Sequence, residues 1–209
     1  MGLKSGAQRA SKHRGVARVV LAAILAAFIA VPGLGSISGS TASASVTSVP
    51  YAPAYWLSAE QWYLYLVNCT RTGGWVLSDG TCLGYGSGRY SAYVKPLSRS
   101  VGISDHVSRP YARLLAVANL CTHFAKGDPG YRLRLAGYTS YTWGENIGCR
   151  NGYTSVRAAI LASHRAFQAE RSTNGGHWRN IKNARFTVIG IGIWKYGTRV
   201  RLVTDFYRP

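Results

Sequence analysis

Two histidines and two glutamates carry the residue types that do chemistry: His123 in "NLCTHF", Glu145 in "TWGENIGC", Glu170 in "FQAE" and His177 in "NGGHW". Imidazole and carboxylate together can pass a proton, direct a water or hold a divalent ion near neutral pH. The chain has only seven Asp plus Glu against 25 Lys plus Arg, so a carboxylate set between glycine and asparagine calls for a reason. Cys121 stands two residues before His123, and Cys149 four after Glu145. A bridge between these cysteines would bring their Cα atoms within about 7 Å, which ties His123 and Glu145 to one neighbourhood. His177 follows the flexible "STNGG" and opens "HWRNI", a short helical turn suited to the rim of a cleft; Glu170 ends the helix before it. The spacing is diffuse, and there is no His-Glu-x-x-His helix. Three readings therefore stay open: His123 and His177 holding zinc or another divalent metal, Glu145 and Glu170 as catalytic acid and base, or a structural hydrogen-bond network joining a helix to the loop that carries Glu145. The last is the simplest. Ser163 and His164 are sequence neighbours and cannot face each other on a helix, which argues against a serine triad. His106 reads as a surface residue as readily as a ligand.

The elements that must position these residues are legible in part. Ser58 followed by Gln61 has the form of a capping box, predicting a helix from there through "AEQWYLYLVN". Residues 73–89 form a glycine-rich loop. A second helix is expected over 108–122, with Pro110 in its first turn. Tyr111, Leu114, Leu115, Ala118 and Cys121 recur at three and four, which puts Cys121 on its buried stripe. "KGDPG", 126–130, is a turn signal. A third helix runs from Thr154 or Ser155 to about Glu170. "FTVIGIGIW" and "RVRLVTDFY" alternate as strands do and are joined by "YGT", the pattern of a hairpin. Gly190 and Gly192 leave one strand face bare, where something can pack closely. Helices first and strands last predict an α+β domain, and no glycine-rich phosphate loop is present.

Lys4, Arg9, Lys12, Arg14 and Arg18, then the apolar run "VVLAAILAAFIAV" at 19–31, then "TASA" at 41–44, have the order of a secretory signal cleaved after Ala44. The expected organisation is a signal over 1–44, a Pro- and Tyr-dotted lead-in over 45–57 and one domain over 58–209. Without the five basic residues of the signal, the net charge falls from +18 to +13. That balance favours anionic partners: for a secreted protein, a cell-envelope polymer, a polysaccharide or a lipid surface. The scattered basic residues and absent finger spacing argue against nucleic acid. Four cysteines, all beyond the signal, suggest two disulfides. Cys69 and Cys82 bracket a turn-rich stretch, so 69–82 is the simplest local bridge and leaves 121–149. Four thiolates on one zinc ion would need closely paired ligands that these intervals lack.

From about Glu60 to Phe206 the pattern resembles the CAP superfamily of cysteine-rich secretory, antigen 5 and pathogenesis-related proteins, its short secreted bacterial branch in particular. The resemblance is carried by "LVNCTR", "NLCTHF", "WGENIG" and "GGHWRNIKNARFTVIGIGIW", in that order. It implies a three-layer α-β-α sandwich with a central cleft holding His123, Glu145 and His177. Glu170 is a looser match, because the tryptophan-rich segment usually around it is altered to "HRAFQAE". Asn146 is expected to buttress Glu145. Paired histidines in that family sometimes bind zinc or another divalent ion, and many members act as binding or signalling proteins. The implied role is a secreted binding or structural module; the alternative is a metal-assisted hydrolase of extracellular peptide or glycan, with His123 and His177 holding the ion and Glu145 as the water-directed base. The stretch 73–100 is less typical of the family.

Overall fold

The computed structural model describes residues 54–209; the expected signal over 1–44 and the lead-in up to residue 53 lie outside the described residues. Four strands make the central sheet: β3 (Ser98–Arg99), β4 (Trp143–Arg150), β5 (Val188–Tyr196) and β6 (Arg199–Tyr207), in the order β3-β5-β6-β4. β5 and β6 form the expected antiparallel hairpin, paired from Val188↔Tyr207 to Tyr196↔Arg199. β4 pairs antiparallel with β6, and the short β3 runs parallel to β5. A separate two-stranded ribbon, β1 (Trp75–Val76) with β2 (Cys82–Leu83), organises the glycine-rich stretch. It is pinned to the first helix by the Cys69–Cys82 disulfide, whose Cα atoms are 6.0 Å apart.

The alternation along β5 divides the domain into layers. Ile189, Ile191 and Ile193 face one side, with Val200, Leu202 and Phe206 of β6, and all six are buried. Against them pack α1 (Ala54–Arg71), α5 (Val156–Ala169) and α6 (Gly176–Lys182), which contribute Tyr63, Leu66, Ile160, Phe167 and Ile181. The opposite layer starts with α2 (Val101–Ile103), passes through a π-helical turn (Ser104–Ser108) into α3 (Arg109–Val117), and ends with α4 (Pro129–Leu135). Here the bare face of β5 finds its use. A Cβ on Gly192 would stand 2.2 Å from the carbonyl carbon of Ser108, and one on Gly190 would stand 2.2 Å from Cγ2 of Ile103. The π-turn therefore lies directly on the strand, and Ser104 Oγ accepts from the N–H of Ile191 at 3.0 Å.

Arg71, at the end of α1, is fully buried and has no carboxylate partner among the described residues. Its guanidinium donates instead to the carbonyls of Lys95, Ile181, Asn183 and Phe186 at 2.6–2.9 Å. It thereby staples α1 to the α6–β5 connection. Burial pulls its pKa down to about 10, and the four carbonyls offset the loss of hydration.

Several boundaries differ from the sequence expectations. α1 begins at Ala54, so Ser58 lies inside the helix and starts nothing. The second helix begins earlier, at Val101, where the Ser100 hydroxyl accepts from the N–H of Ile103. It also ends earlier, at Val117: Asn119 takes a left-handed φ of 54° and turns the chain away. Cys121 consequently sits exposed in an irregular segment and not on a buried stripe. "KGDPG" is a turn that also starts a helix, since Asp128 caps the N–H of Tyr131 and Pro129 occupies the first helical position of α4. The segment around Glu145 is strand β4, not a loop. The third helix agrees with the sequence reading, and Ser155, one of its two expected starts, turns out to be its cap.

Candidate functional site

β4 is an edge strand, and its pleat sends successive side chains to opposite layers. Glu145 meets α4 and the segment after α3, whereas Asn146 meets α6. Because no further strand covers this edge, side chains from both layers converge over it. They enclose a cleft of about 490 Å³ lined by His123, Glu145, Glu170, His177 and Asn180, with Thr173 and Gly175–Gly176 at its rim. The four residues expected from sequence to do chemistry thus share one cleft.

They are arranged as two histidine–carboxylate pairs. In the first, His123 Nδ1 lies 2.6 Å from Glu145 Oε1, and Glu145 Oε2 accepts from the Arg132 guanidinium. Arg132 donates as well to the carbonyls of His123 and Gly127, at 2.8 and 2.7 Å, and its guanidinium covers the Tyr111 ring at 3.6 Å. The Glu145 side chain is 1% exposed and that of Arg132 8%, while His123 is 40% exposed. The carboxylate is therefore walled in, and the imidazole is the group presented outward. The Cys121–Cys149 disulfide, Cα atoms 6.0 Å apart, holds the His123 segment to β4.

In the second pair, His177 Nδ1 lies 2.5 Å from Glu170 Oε1, and the His177 ring stacks on Phe167 with centroids 4.3 Å apart. Glu170 Oε2 accepts from the backbone N–H of His177 at 2.9 Å. This carboxylate does the capping of α6 that its N-cap residue, Gly175, has no side chain to do. A Cβ at Gly175 would stand 2.4 Å from Glu170 Oε2, which explains the glycine before His177. Burial pushes the Glu170 pKa up, but the hydrogen bond and charge of His177 and the helix N–H groups outweigh it and hold the carboxyl below its ordinary range.

Each Nδ1 faces a carboxylate oxygen, which leaves Nε2 as the ring nitrogen turned away from the pair. Asn146, expected to buttress Glu145, makes no hydrogen bond to the Glu145 side chain among the described residues. It donates to the carbonyl of His177 at 3.1 Å and accepts from Asn180, which also donates to the Glu145 carbonyl. Asn146 and Asn180 thus join β4 to α6 and fix the second pair relative to the first. His164 is a core residue: fully buried, beside the Thr70 hydroxyl at 2.9 Å, its pKa pulled down by burial to about 3. Ser163 is buried beside it, and no triad forms. His106 is exposed.

As a metal centre the cleft offers two imidazoles. No group of three or more His, Cys, Asp or Glu among the described residues is placed to hold an ion. Both carboxylates are spent behind their histidines, the outer position that orients metal-binding imidazoles. The donor set therefore offers an ion at most the two imidazoles, short of a protein cage. For covalent chemistry the cleft lacks a primed nucleophile: the Thr173 hydroxyl donates to the Glu170 carbonyl.

Sequence reasoning missed Arg132, Asn180 and Asp205. Asp205 is paired with Glu145 across β4 and β6, is fully buried, and accepts from Ser108 Oγ at 2.6 Å. Its lone acidic side chain in the apolar strand "RLVTDFY" was the available signal. Burial first, then the charge of Glu145, raises its carboxyl from 3.8 to about 8. The fold therefore keeps a proton that the unfolded chain has released, and this group's contribution to stability falls as pH rises from about 4 toward 8. Asp205→Asn, which mimics the protonated acid, should remove that slope. Urea denaturation at pH 4, 6 and 8 should show the variant gaining on the wild type with pH, by at most about 1.4 kcal/mol per unit. Curves that stay parallel across this range would mean that Asp205 is ionised in the fold.

No family model matches the chain, and no relative is found among curated proteins. Among solved structures it is similar to an extracellular protein containing an SCP domain from Bacillus anthracis str. Ames, with a TM-score of 0.51 and 19% identity. The match covers 73% of this chain and 41% of that one, so the chain spans about two fifths of the length of that protein. A structure of NaASP2 with Zn2+ aligns with a TM-score of 0.46 and 16% identity, over 71% of this chain and 78% of that one, a likeness too slight to carry an argument. The first match shows the fold: an α-β-α sandwich of the CAP/SCP type.

Proposed function

We propose that this chain is a secreted CAP-fold binding module that acts at the cell envelope and holds an anionic ligand, a wall polymer, polysaccharide or lipid surface, at its His123–His177 cleft. The observation that carries this reading is that both cleft carboxylates are already committed, Glu145 to Arg132 and His123 and Glu170 to His177. What the cleft offers a ligand is therefore imidazole, backed by a chain of net charge +18, or +13 once residues 1–44 are removed. Two disulfides suit an oxidising compartment outside the cytoplasm. Among the described residues no helix is long and apolar enough to cross a membrane. The test is a calorimetric titration with alginate, a polyuronate, at 50 and 200 mM salt. Binding should weaken with salt, and H123A/H177A should weaken it about tenfold, or about 1.4 kcal/mol. Equal binding by the double variant would assign the ligand to the general basic surface and remove the cleft from the proposal.

The carboxylate behind each Nδ1 favours a second reading, in which His123 and His177 bind zinc or another divalent ion through Nε2. Such an ion would supply a Lewis acid and an activated water. Glu170, the less buried of the two carboxylates, is then better placed than the enclosed Glu145 to take a proton. Zinc titration near pH 7.5 tests this reading directly. One-to-one binding lost in H123A/H177A supports it and makes peptide and glycan hydrolysis worth assaying; no binding by the folded, fully oxidised protein ends it.

A further inference from the structure

A second hollow, larger than the cleft at about 900 Å³, opens between the π-turn and α3 on one side and α4 on the other. It shares no lining residue with the His123–His177 cleft. Its volume falls within the few hundred to about 1,000 Å³ of small-molecule sites. Val107, Pro110 and Leu114 line one wall, and Tyr131 and Leu135 the other.

The walls are preformed. The Tyr111 hydroxyl donates to the Thr122 carbonyl at 2.6 Å and accepts from the N–H of Ala125. The Tyr131 ring lies against Gly127, where a Cβ would stand 2.5 Å from the ring. Leu135 is 71% exposed and Tyr131 46%, so apolar surface is left in water at the mouth. Covering that surface with an apolar ligand removes it from water, which favours binding.

The two charged side chains that line the hollow, Lys126 and Arg132, are both basic, and no acidic residue lines it. Of the nearest acids in sequence, Asp105 pairs with Arg109, and Asp128 turns its carboxylate to the N–H of Tyr131 at the start of α4. Arg132 is neutralised by Glu145, but Lys126 forms no ion pair among the described residues. It is the lining charge left to receive a ligand's charged group, which favours an anion, and a long hydrophilic polyanion would leave the apolar walls uncovered. We infer that this hollow is a binding site for a small apolar anion, its body between α3 and α4 and its negative group at Lys126.

The probe is 8-anilinonaphthalene-1-sulfonate, titrated by fluorescence into the oxidised protein, with the neutral N-phenyl-1-naphthylamine beside it. The anionic dye should bind one-to-one, about tenfold tighter than the neutral one. Lys126→Glu and Leu135→Glu should each weaken it about tenfold, while His177→Ala, in the other cleft, should leave it unchanged. Lys126 and Leu135 are exposed, so neither change removes core packing, and near-UV circular dichroism checks that the fold persists. Binding that neither charge-bearing variant alters would place the dye elsewhere and overturn the assignment. Equal affinity for the two dyes would overturn the anionic part of it, and absence of saturable binding below 1 mM would overturn it entirely.

Discussion

Arg132→Ala should destabilise the protein by about 3–5 kcal/mol, because it strands Glu145 as a buried charge without its cation. For a domain of this size that corresponds to a fall in melting temperature of roughly 10 °C or more. The side chain does three things at once: it pairs with Glu145, bonds the carbonyls of His123 and Gly127, and covers the Tyr111 ring. A second variant separates them. In Arg132→Met/Glu145→Gln the charge is removed from both partners, and replacing a buried pair as a unit is far cheaper than breaking it. The double variant should recover more than half of the loss. If it melts no higher than Arg132→Ala, the damage lies in the lost carbonyl bonds and ring contact, and the buried charge is not the cause. The same pair holds His123 at the rim of the cleft, so ligand binding by Arg132→Ala should fail together with stability.

Gly192→Ala is the second large effect. The added methyl would meet Ser108 and Arg109 backbone atoms at 2.2–2.3 Å. Backbone atoms in a packed layer cannot rotate aside, so β5 and the π-turn must part. We expect a cost of about 3 kcal/mol, at the upper end of overpacking penalties. Gly190→Ala is the built-in comparison. Its methyl would meet the Ile103 side chain at 2.2 Å and the Ser108 hydroxyl at 2.7 Å. Side chains can shift, and about 1–2 kcal/mol is expected. Urea denaturation of both variants decides the matter: a Gly192→Ala curve that overlays the wild type would mean that the two layers do not touch at this point.

Both effects depend on features that the sequence announces to different degrees. The alternation of isoleucine and glycine in β5 is visible in nine residues, and it already implies that something lies against the bare face. What lies there is a π-turn some eighty residues earlier, and its sequence, "SDHVS", carries no recognisable period. The cleft divides in the same way. His123 and Glu145 can be brought together from sequence by a cysteine bridge, and His177 and Glu170 by a short turn between helices. That the two pairs face one another follows from β4 being an edge strand, and "WGENIGC" with its two glycines alternates too weakly to be read as a strand.

The sequence by itself determined the local elements whose signals lie within a few residues: the β5–β6 hairpin, α5, the short bridge between Cys69 and Cys82, and the four residues of the cleft as candidates. These signals are local because periodicity, capping and turn chemistry are set by neighbours along the chain. Only the tertiary structure decided which polar groups became buried partners. Arg132 reaches Glu145 from a helix whose first residues read only as a turn, Asp205 pairs with Glu145 across sixty residues, and Asn180 joins α6 to β4. Burial of a charge is decided by what packs over it, and in this fold the covering groups come from segments distant in sequence.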